Sequence, residues 1–225
     1  MLVESVVPVI AAARNTKDVK PIQAEFLERA AGLFQSALDE TFRLKLGFAK
    51  DQDVADSLWK TLESLMRNAR ADWTLTFREL SYLVRDSDSL MNPSTKDLDY
   101  DALLEQWIGG DDDKPSNPLY EPLEPSQKEE WIGFLKAWSE ALSHSGEDQA
   151  TVSQRMLRSN PKFILREWMM VEAYREAAEG RDAELVSLFS LIQRPYDEGS
   201  DLETQKYYRR TPDESIMMGG TAFMS

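Results

Sequence analysis

Apolar residues recur every three or four positions along most of the chain, which is the spacing of amphipathic α-helices. The first long stripe ends at Gly47, a residue type that commonly stops helices. It consists of Ile22, Phe26, Ala30, Leu33, Phe34, Ala37, Leu38 and Phe42. A second helix is expected after Asp51, and a shorter one over residues 2–13. We find neither runs of alternating apolar residues nor an internal repeat. The pattern predicts an all-α fold, an irregular helical array.

The second half continues this pattern after a break. Ser126, with Glu129 three residues later, has the arrangement of a capping box and predicts a helix start. Asn160 followed by Pro161 predicts another start, because proline fits the first helical turn. Its stripe and that of the helix after Asp182 consist of Ile164, Leu165, Trp168, Val171, Leu185, Leu188, Phe189 and Ile192. We therefore expect Leu165 and Trp168 to be buried.

The segment between the two halves is acidic and rich in proline. Residues 86–150 contain 16 acidic and 4 basic side chains and so carry most of the chain's net charge of −14. Residues 98–107 have the composition of one short helix within this segment. We divide the chain into a helical region at 1–85, an acidic proline-rich insertion or linker at 86–125, C-terminal helices at 126–195 and an irregular tail at 196–225.

Composition excludes several kinds of protein. A negative charge of this size repels nucleic acid and anionic membrane surfaces, so we expect neither as a partner. The chain has no cysteine and one histidine, which excludes thiolate catalysis and any site that needs two histidines. The longest apolar stretch, at residues 6–13, is too short to span a bilayer. It is also a poor signal peptide, because Glu4 and no basic residue precedes it.

No segment has the pattern of a known catalytic or nucleotide-binding motif. The glycines form neither a dinucleotide fingerprint nor a phosphate-binding loop. Asp197-Glu198-Gly199 looks like a kinase metal motif, but it follows Pro195 instead of a strand and is interpreted as a turn. His144, near a predicted helix end, is interpreted as a helix-end or surface residue. From the residues alone we assign none as catalytic, cofactor-binding or metal-binding.

The other candidate residues have simple structural interpretations. The aspartates at 97, 99 and 101 begin like a calcium loop but lack its glycine and glutamate, so capping and solvation are expected. The triplet at 111–113 is expected to be solvated. Arg166, Arg175 and Arg181 are candidates for phosphate binding, but pairing with nearby glutamates along a helix is the simpler interpretation and is expected. The six tryptophans lie mostly on apolar stripes and are expected in the core.

Several stretches nevertheless resemble the C-terminal half of the selenoprotein O family, also called the YdiU family. The first group is FRLKLGF at 42–48, Leu65-Met66 and DWTLTFR at 72–78. The second is NPKFILREW at 160–168 with EAAEGRD at 176–182. The third is Arg194-Pro195-Tyr196 followed by Tyr208, Arg210 and Pro212. They keep the family's order over almost the whole chain, whereas residues 86–125 match poorly.

The resemblance implies a kinase-like (pseudokinase) fold that transfers AMP from ATP to Ser, Thr or Tyr hydroxyls of protein substrates, with ATP and Mg²⁺ as cofactors. The family's nucleotide-binding residues lie upstream of the matched region. The resemblance therefore implies the helical C-terminal portion of a protein adenylyltransferase, and we expect this chain alone to be inactive and to bind neither cofactor. It further implies a soluble monomer, mitochondrial in a eukaryote and cytoplasmic in a bacterium.

Two expectations remain beside this one. The alternative function is a non-enzymatic helical interaction or regulatory module. The second expectation concerns the C-terminus, since members of the family typically end with cysteine or selenocysteine followed by two serines. Residues 221–225 reach the point where that residue is due. We therefore expect the natural protein to continue beyond Ser225 with selenocysteine.

Overall fold

A computed structural model describes residues 9–10, 12–14, 18–87, 89–92, 98–108 and 115–212. Within these residues the chain is all-α, as predicted, with one isolated bridge between Ala71 and Leu119. The helices are α1 (Lys20–Lys45), α2 (Gln52–Asn68), α3 (Trp73–Asp86), α4 (Tyr100–Ile108), α5 (Pro125–His144), α6 (Gln149–Ser159), α7 (Glu167–Ala178), α8 (Ala183–Ile192) and α9 (Asp201–Tyr207). Among them, no helix combines the length and the apolar character that a membrane span requires.

Some sequence predictions fall on residues that the structure does not describe. These are most of the short N-terminal helix, the aspartates at 97 and 111–113, and the tail beyond residue 212. The chain divides into two compact units, Met1–Phe42 and Arg43–Ser225.

The first unit contains most of α1, and the predicted apolar stripe of this helix is largely exposed. Ile22 is its buried member, whereas Leu33 and Phe34 are 66% and 67% exposed. The stripe thus predicted the helix correctly, but its apolar face is largely not buried. The spacing of apolar residues identifies one face of a helix, but it does not identify what covers that face.

The second unit has a core built largely from α2, α3, α5 and α6. Contacting pairs are α3 with α6, α2 with α5, and α3 with α4. Trp59 stacks on Phe77 with ring centroids 5.3 Å apart, and Trp138 Nε1 donates to the Leu46 carbonyl oxygen at 2.9 Å. Five tryptophans are buried, as predicted, while Trp73 is 45% exposed.

Gly47 ends α1, as the sequence predicted, and its position in the core explains the residue type. Its φ of 94° lies in the left-handed region, which glycine adopts without steric cost. A Cβ there would lie 2.9 Å from Val152 Cγ1 and 3.1 Å from Met156 Sδ. The turn that follows α1 therefore packs directly against α6.

The helix predicted at 98–107 within the acidic segment is observed as α4. Leu103, Leu104 and Trp107 are buried, and the Trp107 and Trp131 rings lie 4.5 Å apart between centroids. This helix therefore contributes to the core, although it lies in the acidic segment that was predicted to be an insertion or linker.

The helix predicted to begin at Asn160-Pro161 begins instead at Glu167, and this shift changes which residues are buried. Residues 163–166 are not helical, so Leu165 is 45% exposed and the prediction that it is buried was wrong. Phe163 is buried in its place, held where its backbone N–H and that of Lys162 both donate to the Pro195 oxygen. Trp168, inside the helix, is 7% exposed, and its predicted burial is confirmed.

One capping prediction was wrong, and one capping signal was missed. The N-cap of α5 is Glu124, which forms a capping box with Gln127 and precedes Pro125, so Ser126 lies within the helix. The predicted irregular tail contains α9, which is capped by Ser200 through a reciprocal hydrogen-bonding arrangement with Glu203. Since Ser-x-x-Glu is the usual capping-box sequence, residues 200–203 carried a signal for this helix that we missed.

Candidate functional site

Arg78 is the centre of a large polar cluster in the second unit. It lies on α3, and its side chain is fully buried. Its Nη2 donates to Glu198 Oε1 at 2.7 Å and its Nε donates to the Tyr82 hydroxyl at 3.0 Å. The remaining bonds go to backbone carbonyls of Leu157, Asn160 and Tyr196. A buried guanidinium is stable only when its donors are satisfied in this way.

Glu198 is the anionic partner in this cluster. It also accepts hydrogen bonds from the Tyr82 hydroxyl at 2.6 Å and from Lys162 Nζ at 3.3 Å. Burial opposes ionisation of Glu198, but the bond from Tyr82 and the charges of Arg78 and Lys162 hold its pKa below the usual value. Burial, reinforced by Glu198, raises the pKa of Tyr82. Glu198 is therefore an ionised carboxylate that anchors the 196–199 turn to α3.

A cavity of about 380 Å³ opens beside this cluster. Lys162 and Glu79 line it, together with Tyr208, whose hydroxyl donates to Glu79 Oε1 at 2.9 Å. Burial raises the pKa of Tyr208 well above its usual value, and burial lowers that of Lys162. Lys162 Nζ also donates to the Glu198 carbonyl at 2.7 Å and to the Thr204 hydroxyl at 3.0 Å. These charged groups are already paired with each other, as in a structural network.

Asn160 extends the network to the turn after α1. Its Nδ2 donates to the Lys45 carbonyl and to the Ser81 hydroxyl, each at 2.9 Å. Lys45 Nζ donates in return to Asn160 Oδ1 at 3.1 Å and to the Ser159 carbonyl at 3.0 Å. Burial lowers the pKa of Lys45 to about 8. Asn160 thus ties the end of α6 to both α1 and α3.

Asp72 and Arg166 form a second buried pair. Arg166 Nη2 lies 2.8 Å from Asp72 Oδ1 and Nη1 lies 2.5 Å from Oδ2, a two-pronged arrangement. Asp72 also caps α3 by accepting from the Leu75 backbone N–H at 3.0 Å. Although burial opposes it, the bonds to Asp72 raise the pKa of Arg166. The prediction that Arg166 pairs with a nearby glutamate on its own helix was wrong.

The other candidates named from the sequence have structural positions. Residues 197–199 lie in the non-helical segment between α8 and α9, directly after a turn that the Asp197 N–H closes on the Arg194 carbonyl at 3.2 Å, and Gly199 has a φ of 68°. His144 is the last residue of α5, and its Nδ1 lies 2.6 Å from the Glu140 carbonyl oxygen. Asp99 accepts from the Ala102 N–H at 3.0 Å at the start of α4, as capping predicts. Arg181 pairs with Glu176 and Glu179.

The polar side chains of the network described above bond mainly to one another and to backbone carbonyls. No group of three or more histidine, cysteine, aspartate or glutamate side chains among the described residues is arranged to hold a metal ion. Sequence reasoning missed Arg78 and Glu198 as central residues. Arg78 stood in a quoted motif and Glu198 in a rejected one, and neither motif indicated that they form a pair.

Several of the segments that resemble one family thus meet at the polar junction around Arg78 and Asn160, and comparison with known proteins identifies that family. A family model described as "Protein adenylyltransferase SelO" matches residues 1–194. The chain belongs to the SelO family of protein adenylyltransferases.

Individual relatives agree with the family match. The chain is 31% identical over 202 residues to the protein nucleotidyltransferase YdiU of Burkholderia multivorans, covering 90% of this chain and 32% of that protein. It is 29% identical over 202 residues to the protein of the same name from Burkholderia orbicola, with the same coverage. The B. pseudomallei relative is 29% identical over 204 residues, again at 90% and 32% coverage. The chain therefore spans about a third of the length of these relatives.

Proposed function

We propose that this chain is the helical C-terminal scaffold of a kinase-like protein adenylyltransferase and that the nucleotide-binding residues lie elsewhere in the longer protein. In AMP transfer a substrate hydroxyl oxygen attacks the α-phosphorus of ATP, pyrophosphate leaves with the electrons of the broken bond, and the hydroxyl proton is released. Mg²⁺ and basic side chains stabilise the charge that develops on the phosphates in such reactions. The scaffold's part is to position that site.

The proposal rests on one observation: residues in the segments that resemble the family form bonds to other segments of this chain. Asp72, Arg78, Asn160 and Arg166 all belong to the quoted motifs, and each is engaged in bonds that join separate segments of this chain. Arg78 alone joins α3 to the end of α6 and to the 196–198 turn. Residues used in this way are suited to holding a fold together, whereas a nucleotide site needs polar groups directed into open space.

The exposed stripe of α1 supports the same proposal. Leu33 and Phe34 occupy one face of a 26-residue helix. Large exposed apolar faces of soluble proteins usually mark contacts with another element or protein. In the proposed arrangement, the remaining two thirds of the longer polypeptide covers this face.

The test compares this chain with the Burkholderia multivorans relative. Each is incubated with Mg²⁺ and ATP labelled at the α-phosphate, and label on protein is measured together with ATP binding by calorimetry. The relative should transfer label, and this chain should neither label protein nor bind ATP. A chimera in which this chain replaces the matching third of the relative should fold and recover transfer. Labelling by this chain alone would refute the scaffold proposal.

A non-enzymatic interaction module is the second candidate, and a different observation favours it. Leu185, Val186 and Phe189 on α8 are exposed, although Leu188 and Leu191 of the same helix are buried. A helix that is apolar on both faces provides a binding surface without any catalytic group. A folded chimera that gains no transfer activity would favour this candidate.

A further inference from the structure

A second cavity, separate from the Arg78 cluster, is lined by two consecutive arginines. It measures about 250 Å³ and lies between the segment that follows α9 and the segment that precedes α5. Its lining consists of Pro115, Tyr120, Arg209, Arg210, Thr211 and Pro212. The Arg210 backbone N–H donates to the Pro115 oxygen at 3.3 Å, and the Thr211 N–H donates to the Tyr120 hydroxyl at 3.4 Å. The two segments are thus bonded to each other around the cavity.

Neither arginine is neutralised by a carboxylate in the described part of the chain. Arg210 Nη1 donates to the Leu119 carbonyl, and its guanidinium lies 5.7 Å from the Tyr120 ring. The Arg209 guanidinium lies 4.7 Å from the Trp168 ring. Asp72, which the Tyr120 hydroxyl contacts at 3.5 Å, is already paired with Arg166. Two positive charges therefore face one cavity in a protein of net charge −14.

Two buried donors here also lack an acceptor. Arg209 Nε and Trp168 Nε1 are buried without a hydrogen-bond partner among the described residues. A buried donor left unsatisfied is costly, so native structures contain few of them. The two orphaned donors belong to side chains that contact each other, and one of these side chains lines the cavity.

We propose that this cavity binds a phosphate-type oxyanion between Arg209 and Arg210. Planar guanidinium groups present paired N–H donors that match phosphate oxygens, and bonds to an ionised acceptor are the stronger kind. Pockets for drug-sized ligands measure about 300–1,000 Å³, so this smaller cavity suits a single phosphoryl group and not a whole nucleotide. The site is independent of AMP transfer and of its ATP.

The experiment titrates the full chain with inorganic phosphate and, separately, with O-phosphoserine. Binding is measured by calorimetry against chloride at matched ionic strength, and the indole N–H resonance of Trp168 is followed by NMR. Both ligands should bind, and the Trp168 resonance should shift. Tighter binding of O-phosphoserine would identify a phosphorylated residue as the source of the group, whereas equal affinities would identify free phosphate.

Three variants test which residues hold the anion. Arg209→Gln and Arg210→Gln should each weaken phosphate binding about tenfold or more, as expected for a lost charge-assisted bond. Arg175→Gln removes the same charge from an exposed position on α7 and should bind like the unmodified protein. Arg209→Lys keeps the charge but loses the Nε donor, so it should bind weakly and provides a second measurement if the glutamine variant unfolds. Binding no stronger than that of chloride, or equal loss in Arg175→Gln, would overturn the proposal.

Discussion

Replacing Arg78 with methionine tests whether the junction between α3, α6 and the 196–198 turn stabilises the fold. Methionine keeps most of the aliphatic volume but removes five hydrogen bonds and one buried charge. Removing one partner of a buried ion pair costs about 3–5 kcal/mol. The carbonyls of Leu157 and Asn160 would also lose their guanidinium donor, and an unsatisfied buried acceptor costs about 1–3 kcal/mol.

These contributions overlap, and Glu198 is half-exposed and can recover water as a partner. We therefore expect Arg78→Met to lower the free energy of unfolding by about 3–5 kcal/mol in total. Total stabilities of natural domains are about 5–15 kcal/mol, so the variant should retain a folded state only at low urea concentration. Urea unfolding followed by circular dichroism measures the difference.

Arg67→Met is the matched control. Arg67 lies on α2 and pairs at 2.9 Å with Glu63, but its side chain is 76% exposed. Exposed pairs contribute about 0–1 kcal/mol, so this variant should unfold close to the unmodified protein. A loss below about 1 kcal/mol in Arg78→Met would show that the junction is a consequence of the fold and not a cause of its stability.

Two further predictions concern neighbouring buried charges. Because burial lowers the folded-state pKa of Lys45 to about 8 from 10.5, the unfolded chain binds more protons between these values. The free energy of unfolding should therefore rise from pH 8 to 10, and this rise should be smaller in Lys45→Met. The same pH dependence in the variant and the unmodified protein would contradict the prediction. In a double-mutant cycle of Asp72→Asn with Arg166→Gln, urea unfolding should give a coupling of about 1–3 kcal/mol, and a value near zero would contradict the buried pair.

Local periodicity predicted most of the helices because each stripe is a short-range pattern. The helix predicted to start near Ser126 is present as α5, with Trp131, Phe134 and Trp138 buried. Gly47 was predicted to end α1 because glycine adopts the left-handed conformation that follows a helix. Features that depend on neighbours within about four residues could therefore be predicted from the sequence.

The polar junction was not predictable from the same information. Arg78 and Glu198 are 120 positions apart, and no spacing rule relates them. Each also had a simpler local interpretation, Arg78 as part of a helix and Glu198 as part of a turn. Their pairing becomes visible only when tertiary structure brings α3 against the segment that follows α8. The exposure of Leu33 was unpredictable for a similar reason, because a stripe does not specify its partner.

The position at which α7 starts determines whether Leu165 is buried, so truncating Leu165 distinguishes the helix predicted from the sequence from the observed one. A helix beginning at Pro161 places Leu165 and Trp168 on one buried face, so truncating either would be costly. In the structure Leu165 precedes the helix and is half-exposed, whereas Trp168 lies in a core cluster with Phe163 and Tyr208.

We therefore expect Trp168→Ala to cost about 3–5 kcal/mol, the range for a large aromatic lost from a core. Leu165→Ala should cost less than about 1 kcal/mol, because little of its surface is removed from water. Thermal and urea unfolding of both variants measure the difference, with Leu188→Ala on α8 as a buried leucine for comparison. If Leu165→Ala lowered the free energy of unfolding as much as Leu188→Ala, residues 163–166 would be packed as the predicted helical stripe. The non-helical conformation of these residues before α7 would then be refuted.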